Sequence, residues 1–581
     1  MNTFLGYWGQ GEPADIDTQL GKVLALVPST PSHLKHSFAN SALLTGVVCW
    51  GKHIRAHCKD DGLTVALAAS GLREDQDVSV VAQPNSLKLH RDAMGRVPLY
   101  WMQQKGVFWF ASHLRLLVPL LENKAIATTG LYGYACFSYC PTPFTPLKSV
   151  FAVSAGTTGT VQRRPGTQAN LEVYWARQDD EWQEPLRPHR IEHKASAQLQ
   201  QLLTKAMQKQ LSDYPSGTVG VFLSGGLDSA ITAALLVRAG AKVQAYTLDF
   251  GSYGVSEVQY AERVAQYLDI PLRKVEASPT RVRDALLATA RALDMPCGDG
   301  ATVPLYLLNQ AARKDCTVVF NGEGGDQLFG GWTNKPLIAA DVYQPAHPAG
   351  TDFAEEYLRT FHRLHGHEAE VFSAAVRAEI PTLNPQNWLS DALDNMFTPT
   401  LLHRLRRANL MLKGAQNIQP RASNLSLAFD LAVRTPFCDR ELASWTFQVA
   451  NDLFLRESHE KYLLKRAVEV WLPPDIVWRE KRGMGVPLTQ WCLGPLWRTV
   501  GEWLQPSVLR GEGLWQEDLA LRLATGKLSG QLQGRRIGES LWLLLMWQVW
   551  RKVILQDEFK RESLQPFLLP PKFWQWRMNR T

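Results

Sequence analysis

The chain has 581 residues, 45% hydrophobic and 20% charged, a globular composition too long for one ordinary core; about two or three domains are expected. Its net charge of +7 is modest, and the basic residues are scattered, so charge gives no argument for a nucleic-acid partner, though it suits anionic substrates. Met1 to Pro13 lacks the basic and apolar regions of a secretory signal. The most apolar late stretch, Ser540 to Leu555, contains Gln548, Arg551 and Lys552 and is shorter than the roughly 20 residues that span a bilayer, so it reads as a core helix. No membrane or nucleic-acid partner is expected.

Eight cysteines show no CxxC pair and no zinc spacing with histidine, which predicts free thiols in a reducing cytoplasm. Late tryptophans (Trp542, Trp547, Trp550, Trp574, Trp576) predict a packed helical C-terminus.

Residues 1–180 hold short alternating runs at Val47–Trp50, Leu63–Ala69, Val78–Ala82, Leu99–Met102 and Val107–Phe110, a β-rich domain with few helices. The polar, proline-bearing Gln178–Pro188 reads as a linker. A second domain is expected over 190–555, with a tail at 556–581. Its first part alternates period. Ile191–Leu211 is helical and Val219–Leu223 a strand; Asp228–Ala239 is helical and Val243–Phe250 a strand. Val255–Tyr267 is helical and Leu272–Val275 a strand; Ala285–Leu293 and Val303–Arg313 are helical, and Thr317–Phe320 is a strand. Strands alternating with helices predict a doubly wound parallel sheet. Beyond about 335 the pattern is mostly helical.

The sharpest motif is Ser224-Gly225-Gly226-Leu227-Asp228-Ser229, which joins a strand to a helix. Glycines let backbone approach a ligand, and the N–H groups of the first helical turn attract an anion. Asp228 would repel phosphate unless a cation lay between them, which points to Mg²⁺. No Gly-Lys-Ser/Thr follows, so this is not a Walker A loop. A second loop, Asn321 to Gly331, has five glycines in eleven residues and carries Glu323 and Asp326. In open α/β sheets ligands bind beyond the carboxyl ends of the strands, so both loops should share one edge.

The first loop resembles the pyrophosphatase loop of the ATP pyrophosphatase superfamily. Both loops, with Arg434-Thr435-Pro436-Phe437-Cys438-Asp439, Lys461-Tyr462-Leu463-Leu464-Lys465 and Arg479-Glu480-Lys481-Arg482-Gly483, resemble the synthetase domain of asparagine synthetases. The resemblance implies an adenine nucleotide α-hydrolase-like fold. It assigns Leu223, Ser224, Gly225, Gly226, Leu227, Asp228, Ser229, Leu248 and Gly322 to ATP and pyrophosphate, Asp228 and Asp326 to Mg²⁺, Lys481 to the adenylation transition state, and Glu323 to deprotonation of the attacking amine.

Arg91-Asp92-Ala93-Met94-Gly95-Arg96-Val97-Pro98-Leu99-Tyr100 and Phe108–Ser112 resemble the family's glutaminase domain, an Ntn-type αββα sandwich; Tyr134–Pro143 and Ala155-Gly156 resemble its end. The glutaminase nucleophile is a cysteine directly after the initiator methionine; this chain has Asn2 there, and its first cysteine is Cys49. Without a thiol no glutamyl thioester forms, so glutaminase activity is not expected. Gln327 stands where the family has a glutamate, and Ala432 replaces the family's Glu before the R-x-P-F arginine.

The resemblance implies an AMP-forming amide ligase acting on a small carboxylate and an amine, with aspartate to asparagine the nearest match and a homodimer compatible with it. Lasso-peptide cyclases and β-lactam synthetases share the fold and also lack the N-terminal cysteine. Glu323 counts against β-lactam closure, since that enzyme has a tyrosine there, while a peptide substrate stays open. A non-catalytic regulatory protein would be expected to erode the ATP loops, and these are intact.

Overall fold

The computed structural model describes residues 2–27, 33–37, 44–59, 62–72, 75–163, 171–177, 182–213, 217–254, 257–331, 353–361, 364, 366–456, 459–480, 483–528 and 535–578. The N-terminal part is two six-stranded antiparallel sheets. The first runs β10 (Phe151–Ala152), β8 (Tyr100–Gln104), β9 (Val107–Ala111), β1 (Thr3–Gly9), β3 (Leu44–Trp50), β2 (His33–Ser37). The second runs β12 (Leu171–Arg177), β11 (Thr157–Arg163), β7 (Ser86–Arg91), β6 (Val78–Ala82), β5 (Gly62–Leu67), β4 (Ile54–Lys59). Helices α1 (Pro13–Leu26) and α2 (Thr128–Phe137) complete it. Alternation drives this half: β6 and β7 bury every second residue, and Val80, Leu87 and Leu89 reach a shared core with Trp8 and Trp50.

After α3 (Glu192–Leu211) comes a five-stranded parallel sheet in the order β15 (Leu272–Glu276), β14 (Lys242–Asp249), β13 (Thr218–Phe222), β16 (Val318–Phe320), β17 (Ala432–Arg434). The helices between are α4 (Leu227–Arg238), α5 (Val258–Tyr267), α6 (Pro279–Leu293) and α7 (Thr302–Ala312). The order climbs outward from β13 in one direction, then restarts at β16 in the other. The switch point therefore lies between β13 and β16, where a doubly wound sheet opens a crevice. Strand β17 went unforeseen in the helical region; at three residues it has too little pattern to signal itself. Its pairing with β16 is what defines it.

The domains are welded rather than loosely linked. Arg91, 2% exposed, donates to the carbonyls of Val97, Val153 and Gly95 and across the seam to Ala415 at 3.0 Å. Arg96 reaches the Val433 carbonyl at 2.6 Å. In return Arg434 donates to Ser70 O at 3.0 Å and Val433 N to Ala69 O at 2.9 Å. Buried guanidiniums need several acceptors, and backbone carbonyls of both domains supply them. Late in the chain, Trp542, Trp547 and Trp550 are fully buried on the helix Arg535–Trp550. Phe567, beyond residue 556, is also buried, with its ring 4.6 Å from that of Trp497. No described helix is long and apolar enough to cross a membrane.

Candidate active site

The two glycine loops leave the adjacent strands β13 and β16, on the two sides of the switch point. In the first, Gly225 has φ +76°, and a Cβ there would lie 2.5 Å from the Tyr260 Cβ. Only glycine meets both demands. The serines brace this turn: Ser224 N donates to Ser229 Oγ at 3.1 Å, the two hydroxyls lie 3.0 Å apart, and Gly226 N donates to Ser224 Oγ at 3.3 Å. Helix α4 then starts at Leu227 with its first-turn amides at the loop.

In the second loop Gly322 and Gly325 press against the first. A Cβ on Gly322 would fall 2.7 Å from Asp228 backbone, and one on Gly325 would fall 2.5 Å from the Asp228 carboxyl carbon. Gly324 holds φ +101° where the short helix α8 (Gly325–Phe329) begins. The glycine richness is thus a condition for bringing two acidic loops into contact.

Asp228 and Asp326 converge on one point, and Lys461 stands there. Its ammonium lies 2.6 Å from both Asp228 oxygens and 2.5 Å from Asp326 Oδ1, with the lysine side chain 2% exposed. Burial alone would lower its proton affinity, but the two carboxylates outweigh that and raise it, so the lysine is cationic. Lys461 takes the left-handed conformation, φ 57°, which costs about 1–2 kcal/mol for a residue with a Cβ. Gly331 makes room, since a Cβ on it would overlap the Lys461 Cε at 1.7 Å. The motif around Lys461 was visible in sequence, but nothing there marked this residue as the cation of the site; a basic side chain gains that meaning only once both aspartates face it.

A cavity of about 240 Å³ opens beside this cluster. Of the residues expected at the nucleotide, Leu223, Ser224, Gly226, Leu227, Asp228, Ser229, Leu248 and Gly322 line it, together with Glu323 and Asp326. Gly225 is turned away under Tyr260. Leu305, Leu308, Ala422 and Leu425 form an apolar wall on α7 and the helix Gln419–Leu427. Lys481 lies outside the described residues. Its neighbours Gly483, Met484 and Gly485 line the cavity, and Arg479 is tied to α5, 2.7 Å from Glu257 and stacked 3.4 Å over the Tyr260 ring.

The carboxylates suit a magnesium ion. Two hard oxygen ligands from separate loops already share one cation, and Mg²⁺ is held by one or two carboxylates plus substrate phosphates. Among the described residues no group of three or more His, Cys, Asp or Glu side chains could hold a metal, so ligand oxygens would complete its shell.

The family departures have distinct settings. Gln327 is buried on the side of Gly414, outside the cavity walls, with its Oε1 unpartnered among the described residues. Ala432 points to Gly71 of the N-terminal domain, not into the cavity. At the N-terminus Asn2 is 1% exposed; its amide donates to Asp430 Oδ1 at 2.8 Å, and its oxygen accepts from His53 N at 3.0 Å. Asn2 is thus a tie between the N-terminal sheets and the segment that leads into β17. Cys49, 47 positions along the chain from Asn2, sits across the ladder from Phe4. It is 1% exposed in the core, unlike a reactive thiol.

Glycine loops with carboxylates at the switch point of a doubly wound sheet place the chain among α/β enzymes whose crevice lies at that edge. A family model described as asparagine synthase matches residues 198–552, and one described as a glutamine amidotransferase domain matches residues 80–175. The chain belongs to the asparagine synthase family and is a carbon–nitrogen ligase. It is 24% identical over 509 residues to asparagine synthetase [glutamine-hydrolyzing] 1 of Bacillus subtilis, covering 82% of this chain and 76% of that protein. It is 25% identical over 523 residues to a putative asparagine synthetase of Mycobacterium tuberculosis, with the same coverage. An NH3-dependent NAD synthetase from Campylobacter jejuni overlaps 34% of this chain and 91% of its own at 16% identity and TM-score 0.19, too slight a superposition to inform the site.

Proposed function

We propose that the enzyme is an ATP-consuming, AMP-forming amide ligase that does not hydrolyse glutamine. The observation that carries this is the convergence of Asp228 and Asp326, from two glycine loops, on the ammonium of Lys461. The amides of the first loop and of the first turn of α4 hold the phosphates of ATP. Asp228 and Asp326 would hold Mg²⁺, which supplies charge neutralisation and phosphate alignment when bound. The substrate carboxylate oxygen attacks the α-phosphorus, forming an acyl-phosphate bond as the bond to pyrophosphate breaks. Lys461, and Lys481 by family resemblance, offset the negative charge that gathers on the leaving group. An amine then attacks the acyl carbon, AMP leaves with the bonding pair, and Glu323 takes the amine proton.

Aspartate with free ammonia is the nearest match. A second reading, closure of an amide on a larger carboxylate such as a peptide, is favoured by the apolar wall of Leu305, Leu308, Ala422 and Leu425. ATP–pyrophosphate exchange across a panel of carboxylates that includes aspartate and peptides separates the two. No exchange with any carboxylate refutes the ligase reading. Asn2 in place of the thiol supports the loss of glutaminase activity; glutamate released from glutamine would refute that part alone.

A further inference from the structure

Arg421 lies on the helix Gln419–Leu427, 7% exposed, and bridges two carboxylates. One arm donates to Asp299 Oδ2 at 2.6 Å; the other lies 3.7 Å from Glu323 Oε1. Its Nε–H has no hydrogen-bond partner among the described residues. Arg421 does not line the cavity beside the two glycine loops, whereas Glu323 does; Arg421 lines a separate, smaller cavity with Cys297 and Asn417. The guanidinium therefore stands behind the carboxylate, out of reach of a substrate there.

The rest of Glu323 is held as well. Its N–H donates to Asn321 Oδ1 at 3.1 Å, and its carbonyl accepts from Thr435 Oγ1 at 2.7 Å, with Cys438 Sγ 3.9 Å away. Asp299 is braced in turn by Ala301 N, at 3.0 Å. Asp228, Asp326 and Glu257 share the cavity with Glu323, and Lys461 is committed to the first two.

We infer that Arg421 is a positioning residue for amide formation: anchored by Asp299, it aims the Glu323 carboxylate into the cavity. The unequal distances carry the argument. A close bidentate pair would itself occupy both oxygens that must receive a proton, whereas a guanidinium held tightly by one carboxylate and at arm's length from the other orients it without doing so. When Glu323 takes the proton of the incoming amine, the Asp299–Arg421–Glu323 set passes from one net negative charge to neutral, so no buried charge is left unpaired.

This rests on the ligase reading of Glu323, and the test keeps the two apart. With whichever carboxylate supports exchange in the full-length enzyme, R421Q, R421K and D299N are compared in ATP–pyrophosphate exchange, which needs no amine, and in amide formation with ammonia or with the less basic hydroxylamine. R421Q should keep exchange and its KM for ATP while amide formation from ammonia falls on the order of tenfold or more. Hydroxylamine, less dependent on a base, should lose less. R421K should recover part of the loss, and D299N should show a milder form of it. Unchanged amide formation in R421Q overturns the role, and so does an equal fall of exchange and amide formation, which would mean the arginine merely holds the fold. Absence of exchange in the wild type overturns the ligase reading and this inference with it.

Discussion

Replacing Lys461 with methionine keeps the length of the side chain and removes its charge. The ammonium is 2.6 Å from Asp228 and 2.5 Å from Asp326, with the lysine 2% exposed, so the aspartates would face each other across an apolar group. At an effective dielectric near 20 and these separations, each contact is worth about 6 kcal/mol of gross attraction, against a desolvation cost of several kcal/mol per ion. Truncating one member of a buried ion cluster typically costs about 3–5 kcal/mol; Asp326, 25% exposed, retains some solvent, so the lower end, about 3 kcal/mol, is expected. Lys461 binds its proton more firmly folded than unfolded, where the reference value is 10.5. Its contribution is therefore full below that value and is lost only as pH rises beyond it, leaving the K461M deficit constant across neutral pH. Urea unfolding followed by tryptophan fluorescence should show a lower midpoint for K461M, partly restored in K461M/D326N. A wild-type midpoint for K461M, or effects of K461M and D326N that add within about 0.5 kcal/mol, would refute the reasoning.

Glu323→Gln should leave ATP–pyrophosphate exchange in place while lowering amide formation by about 10²- to 10⁴-fold, read by product formation under saturating amine. Gly225→Ala places a methyl group 2.5 Å from Tyr260 at φ +76°; binding of a non-hydrolysable ATP analogue, measured by calorimetry, should weaken about tenfold or more. Asn2→Cys should give no glutamate from glutamine, because the side chain at this position is buried against Asp430 and His53; release above background would show that the site is open. Asp294 accepts N–H bonds from Leu114 and Arg115 across the seam, and burial, opposed by Arg115, raises its pKa from 3.8 to about 6. A raised carboxyl pKa favours folding at low pH and loses that advantage as pH climbs to the folded value. The stability of the wild type relative to D294N should therefore decline by about 3 kcal/mol between these two values and then level off, measured by urea unfolding at stepped pH.

Chain order and local chemistry made much of the fold readable. The alternation of Val78–Ala82 matches β6 residue for residue, and Val219–Leu223 lies within one residue of β13. The glycine–serine run between β13 and α4 was legible as a strand-to-helix loop because both its flanks had clear periodicity. Short elements escaped: β17 has three residues, and its place at the sheet edge comes from pairing with β16 and from carbonyls of the N-terminal domain. The Arg91 motif was legible as a glutaminase-domain signature, but its work as a clamp on Ala415 was not, because the acceptor lies 324 residues away.

By itself, then, the order of residues determined the parallel sheet and the two acidic glycine loops, properties of contiguous residues whose spacing and backbone freedom act locally. Only tertiary structure decided that Lys461 is the cation between Asp228 and Asp326, that Arg421 stands behind Glu323, and that Asn2 ties the domains together. Each depends on charges or hydrogen bonds between residues more than ninety positions apart, and such contacts acquire an energy only when folding removes the water and brings the partners within a few ångströms.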